Sequence, residues 1–156
     1  MRENTRKCNS MLSADKEDIF VVKDELLIKR IDNKNRNNEI IEIDNINLDT
    51  YVWDKKHNRK IQPKLCLLLS KKSKKILEYR IIGEEENEIE EIYKLTIKYM
   101  QMKGKPKIII VRNKYIYNKL INLCRELGVF IEISIRLEDI DDFIRCGTHS
   151  SASDIY

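Results

Sequence analysis

The chain has 156 residues, a length that suits one domain with a continuous core. Charged residues make up 36%, but 30 Lys and Arg against 26 Asp and Glu leave a net charge of only +4. No field of one sign can therefore cover the whole surface, and any nucleic-acid contact has to rest on local clusters. The first residues hold no signal-peptide apolar run and nowhere do roughly 18 apolar residues follow one another, so the expectation is a soluble, cytoplasmic protein without a membrane span.

In chain order, residues 1–17 are polar and aperiodic and predict a flexible N-terminal segment, as GTHSSASDIY does for a tail over 147–156. A single α/β domain is expected over 18–146, with a β-rich part at 18–50 and a core at 51–146. IFVVKDELLIKRI fits either strands or an amphipathic helix, whereas NEIIEIDNI alternates as a strand does. The Asn-rich DNKNRNN between them and the many β-branched residues favour a β-hairpin. TYVWD is a short strand-like piece, and DKKHNRKIQ is a polar connection.

From Pro63 the pattern is sharper. KLCLLL is apolar on successive residues, as in a strand covered on both faces, and ILEYRII after SKKSKK predicts its antiparallel partner. In EEENEIEEIYKLTIKYMQMK, helical spacing places Ile89, Ile92, Tyr93, Thr96, Ile97 and Met100 on one side. Its glutamates crowd the first turns and its lysines the last, which complements the helix dipole, and Gly104 and Pro106 end it. PKIIIVRN is a buried strand. Asn113 is a candidate N-cap for KYIYNKLINLCREL, ended by Gly128. VFIEISI predicts the last strand, and LEDIDDFIRC a short helix turning Leu137, Ile140, Phe143 and Ile144 inward. The fold class is thus α/β or α+β: a mixed sheet from hairpins plus a right-handed strand-helix-strand unit, with helices packed on it.

The order TYVWDKKHNRKIQPKLCLLLSKKSKKILEYRII, acidic helix, PKIIIVRN, RELGVFIEI and LEDIDDF resembles a family of uncharacterised bacterial α/β domains. In that family a Pro introduces an apolar strand usually ending in Asp, and Arg-Asp or Arg-Asn closes the third strand. The resemblance runs from Thr50 to Phe143 and implies a fold without an established activity. The same order distantly resembles the ribonuclease H and integrase core, whose chemistry needs carboxylates at the ends of neighbouring strands to hold two metal ions. Here Ser70 and Asn113 stand at the strand ends, and neither supplies a negative charge, so a degenerate nuclease is the weakest of three functional expectations. Glu138, Asp139, Asp141 and Asp142 are expected on a solvated helix face.

The remaining chemistry is sparse. Cys8, Cys66, Cys124 and Cys146 form no CxxC pair, and Cys66 and Cys124 fit buried structural thiols. His57 and His149 lie in polar segments without a support for general-base catalysis. No phosphate-cradle or nucleophile-elbow motif occurs, so no catalytic residue, metal or cofactor is assigned. The strongest lead is basic: Lys55, Lys56, Arg59 and Lys60 before the hairpin, Lys71, Lys72, Lys74 and Lys75 at its tip, and Trp53 upstream for stacking on a base. Lysines also serve to keep turns soluble and sheet edges unpaired. Glu84, Glu85, Glu86, Glu88, Glu90 and Glu91 form an opposing acidic run, a dipolar arrangement that suits a protein partner or a second copy. The expectation is a non-catalytic binding or interaction module of unknown partner, with nucleic-acid binding through the basic hairpin as the alternative.

Overall fold

The structure, a computed structural model, describes residues 25–147. The expected N-terminal segment, all of the tail beyond Gly147, Cys8 and His149 lie outside the described residues. In chain order the elements are α1 (Glu25–Asp32), β1 (Ile40–Asn47), β2 (Val52–Asp54), β3 (Arg59–Ile61), β4 (Lys64–Ser70), β5 (Ile76–Ile82), α2 (Glu88–Lys103), β6 (Ile108–Val111), α3 (Lys114–Leu127), β7 (Phe130–Ile133) and α4 (Glu138–Gly147). No described helix is long and apolar enough to cross a membrane.

Five strands form one sheet in the order β5-β4-β1-β6-β7. β1 and β5 each pair antiparallel with β4, while β6 runs parallel to both β1 and β7. The mixed sheet and the α3 connection between parallel β6 and β7 agree with the expected fold class. β2 and β3 form a separate two-stranded hairpin.

The N-terminal part departs from expectation. Residues 25–32, read as part of a β-hairpin, form α1. Ile28 and Ile31 are its buried residues, one helical turn apart, and Glu25 at the start with Lys29 and Arg30 at the end match the helix dipole. Helical periodicity over this stretch therefore outweighs the β-branched composition. The second run is a strand, as expected, but β1 is the central strand of the sheet, with β4 on one side and β6 on the other.

Alternation along the strands divides the core in two. Ile41, Ile43, Cys66, Leu68 and Ile109 face a layer of α1, α2 and α3, where Ile31, Ile92, Met100, Ile116 and Leu120 are buried. Leu65, Leu67 and Leu69 face the other way, against Leu137 and Ile140 of α4 and its entry. Helix ends follow the sequence signals. Asn87 accepts from the amides of Ile89 and Glu90, Asn113 from that of Tyr115, and Gly128 takes the left-handed conformation that closes α3. A side chain at Gly104 would place its Cβ 2.3 Å from the Asn35 carbonyl oxygen, so this helix end requires glycine.

Candidate functional site

β1 carries Glu42 and Asp44 on the α4 side of the sheet, two polar residues on a strand that reads in sequence as half solvent-facing. Both are buried, at 1% and 5% exposure, so each needs partners. Glu42 Oε1 accepts the backbone N–H of Ile140 at 2.9 Å and Oε2 that of Asp139 at 3.4 Å. The first turn of α4 is thus capped by a carboxylate from the sheet, where unpaired amides and the helix dipole favour negative charge. Lys71 Nζ lies 3.4 Å from Glu42 and 3.3 Å from Asp139, and Lys74 Nζ lies 2.6 Å from Asp139.

Two residues further along β1, Arg112 at the end of β6 donates to Asp44 Oδ2 at 2.7 Å and to Asp141 Oδ1 at 2.9 Å. Seven charged groups therefore form one layer under and beside α4: Lys71, Lys74 and Arg112 against Glu42, Asp44, Asp139 and Asp141. Burial pushes the Asp44 carboxyl up, and Arg112 only partly offsets it. Burial also opposes the charged form of Asp139, but the hydrogen bonds from Lys74 and Lys71 outweigh it and hold that carboxyl below its usual range. Lys71 is the complement: burial opposes its charge, and its contacts to Asp139 and Glu42 raise it above the ordinary lysine value.

This layer corrects the expectation of a solvated acidic face on α4. Asp139 is only 6% exposed and Asp141 is held by Arg112, while Glu138 and Asp142 do face solvent. Ser70 and Asn113, which stand at the strand ends where a two-metal site would need carboxylates, have local duties instead. Ser70 donates to Glu39 at 2.6 Å and accepts from the Ser73 amide, closing the 71–75 turn, and Asn113 caps α3. Cys66 and Cys124 are buried, and burial pushes both thiols up to about 12, as structural thiols require.

The structure does not bring the predicted basic residues together. The 71–75 turn lies beside the start of β1, where the Lys71 amide donates to the Ile40 carbonyl, whereas the β2–β3 hairpin follows the end of β1. The seven residues of β4 separate the two groups by about 20 Å. Each group is divided again. Lys71 and Lys74 belong to the layer under α4, and Lys72 and Lys75 are exposed and unpaired among the described residues. In the hairpin, Arg59 pairs with Glu84 at 2.9 Å and Lys56 with Glu85 at 3.7 Å. His57 bridges Asp54 at 2.7 Å and Glu85 at 2.9 Å, and its hydrogen bond holds the Asp54 carboxyl below its ordinary value. The opposite hairpin face keeps Trp53 beside Lys60, which are cross-strand partners, with Tyr51 and Lys55 exposed nearby.

The acidic run is likewise taken up internally. Besides the hairpin contacts of Glu84 and Glu85, Glu86 and Glu91 bind Arg80, Glu88 binds Lys64 at 2.6 Å, and Glu90 binds Lys119 at 2.6 Å. Its members tie β3, β4, β5 and α3 to the start of α2 rather than presenting a free acidic patch.

Residues 27–146 match the family described as a domain of unknown function, DUF6930. The chain belongs to this family. Nothing among the curated proteins matches this DUF6930 chain. Among solved structures, it is similar to a chain of the simian T-cell lymphotropic virus intasome, determined by cryo-EM in complex with the PP2A regulatory subunit B56 gamma. That similarity covers 64% of the DUF6930 chain and 34% of the other, at 15% identity and a TM-score of 0.43, so the chain spans about a third of the length of that viral chain.

Proposed function

We propose that this DUF6930 domain is a non-catalytic binding module. The observation that carries the proposal is the Arg112 guanidinium, held between the carboxylates of Asp44 and Asp141. The ribonuclease H-like resemblance in the order of elements would demand carboxylates at the ends of neighbouring strands, turned toward shared metal ions. In this chain Asp44 and Asp141 face a fixed internal cation, Asp139 faces two lysines, and Glu42 caps a helix. A guanidinium supplies charge neutralisation and directed hydrogen bonds, but it does not turn a bound water into hydroxide as a metal ion does.

What supports a binding role is the β2–β3 hairpin. It stands apart from the main sheet, is fastened on one face by Arg59, Lys56 and His57 to Glu84 and Glu85, and leaves Trp53 and Tyr51 more than half exposed on a small domain. Aromatics are among the residue types that dominate binding energy in interfaces.

Incubation of labelled single- and double-stranded DNA and RNA with the protein and magnesium or manganese tests the non-catalytic reading. Oligonucleotides of unchanged length on a gel are expected. Cleavage that disappears in an Asp44→Asn variant would overturn the proposal.

A further inference from the structure

We infer that the outward face of the β2–β3 hairpin is a stacking platform for single-stranded nucleic acid. This deepens the binding-module reading and rests on it. Trp53 is 55% exposed and Tyr51 64%, although aromatic rings of this size ordinarily bury most of their surface. Trp53 lies directly across the hairpin from Lys60, which is exposed, and Lys55 follows at the start of the turn. Among the described residues neither lysine is engaged in an ion pair.

The two hairpin faces differ in charge balance. On the inner face Arg59 is matched by Glu84 and Lys56 by Glu85, and the His57 ring lies 2.9 Å from Glu85. The outer face combines flat aromatic surface with unmatched positive charge. Bases stack on the first and phosphates exchange counterions with the second. The inner-face contacts to Glu84 and Glu85 tie the two-stranded hairpin to the segment before α2 and leave its other face open.

A single strand fits this chemistry better than a duplex, because the bases of a duplex already stack on one another and hide their faces. Two aromatics accommodate about two bases, which implies modest affinity and little sequence preference. The lysines of the 71–75 turn are not part of the platform. They lie at the other end of the sheet, and Lys71 and Lys74 are occupied by Asp139.

The chain contains one tryptophan, so intrinsic fluorescence reports on Trp53 directly. The experiment titrates the full chain with short oligo-dT and oligo-U, and with a duplex of equal length, at low and moderate salt, following tryptophan emission and the anisotropy of labelled strands. Saturable quenching by single strands, weakened by salt with a log-log slope of about −1.4 for two lysines, is expected. In anisotropy Trp53→Ala should bind about tenfold more weakly or worse, and Lys55→Glu/Lys60→Glu should abolish binding. A Lys72→Glu/Lys75→Glu variant should bind as the parent does. Each variant keeps its fold by circular dichroism, since the substituted side chains are exposed.

Binding that survives Trp53→Ala but is lost with Lys72 and Lys75 overturns the platform and moves the contact to the far turn. Equal affinity for duplex overturns the stacking argument. Unchanged Trp53 emission with every oligonucleotide also overturns the inference while leaving the non-catalytic reading standing, which the cleavage assay tests separately. A concentration-dependent blue shift of Trp53 without nucleic acid would assign the face to a second copy of the chain instead.

Discussion

Replacing Glu42 by Ala removes the carboxylate that joins the central strand to α4. Two backbone N–H groups, those of Ile140 at 2.9 Å and Asp139 at 3.4 Å, then lose their acceptor in a place that water does not reach. A buried hydrogen bond to a charged acceptor is worth roughly 1.5–3 kcal/mol, and the longer contact adds about 1 kcal/mol at the dipole of the helix N-terminus. Lys71 is not stranded, because Asp139 remains 3.3 Å away, and removal of a buried carboxylate recovers part of its own desolvation cost. The net loss is about 3 kcal/mol, or on the order of 10 °C in Tm for a domain of this size. Glu42→Gln, which retains one acceptor oxygen but turns an amide toward the second N–H, should lose about half as much. Thermal and urea unfolding give the magnitude, and amide hydrogen exchange locates it: protection should fall first in the opening turn of α4. A Glu42→Ala protein that melts within about 1 °C of the parent, with α4 amides equally protected, would refute the proposed cap.

Ile109 is fully buried in β6 between β1 and β7, so Ile109→Asp should abolish the cooperative melt, by several kcal/mol of unpaired buried charge, and an unchanged melt would contradict the sheet order. Lys74 has a positive φ of 63°, so Lys74→Ala loses its contact with Asp139 and keeps the strain, whereas Lys74→Gly is relieved of it. The glycine variant should be more stable than the alanine variant by about 1 kcal/mol in urea melts, and the reverse order would argue against a left-handed residue there. Asp139, whose folded carboxyl is depressed, stabilises the fold above its unfolded value and loses that contribution as pH falls through the folded value. Urea midpoints between about pH 6 and pH 3 should therefore decline less steeply in Asp139→Asn than in the parent. Asp44, whose carboxyl is raised, acts in the opposite sense, so Asp44→Asn should steepen the same limb, and identical slopes in all three proteins would refute both assignments.

The elements beyond Pro63 are legible in sequence because each is signalled locally. Helical stripes such as Ile116, Leu120, Leu123 and Leu127, caps at Asn113, Gly104 and Gly128, and the unbroken apolar run of β4 all depend on near neighbours. Glu25–Asp32 is ambiguous because its two-turn stripe competes with β-branched composition, and the packing of Ile28 and Ile31 into the helical layer decides it. The layer under α4 is not legible. IIEIDNIN alternates like a strand with one wet face, and what keeps Glu42 and Asp44 inside is pairing with Lys71, 29 residues away, and Arg112, 68 residues away. The lysines of 55–75 look like one cluster because they are close in sequence, but a seven-residue strand carries them to opposite ends of the sheet. A signal for their division was present in the six glutamates of 84–91, whose cations come from β3, the hairpin turn, β4, β5 and α3.

The most direct test of the account is a manganese titration of the isotopically labelled protein followed by NMR, because a paramagnetic ion held by Asp44 and Asp141 would broaden their amide signals before any others. With Arg112 holding both carboxylates, no selective broadening is predicted in the parent at a few equivalents of manganese. Selective loss of the Asp44, Asp141 and Arg112 signals at those concentrations would show that the ion displaces the guanidinium, and would contradict the non-catalytic role proposed for this domain.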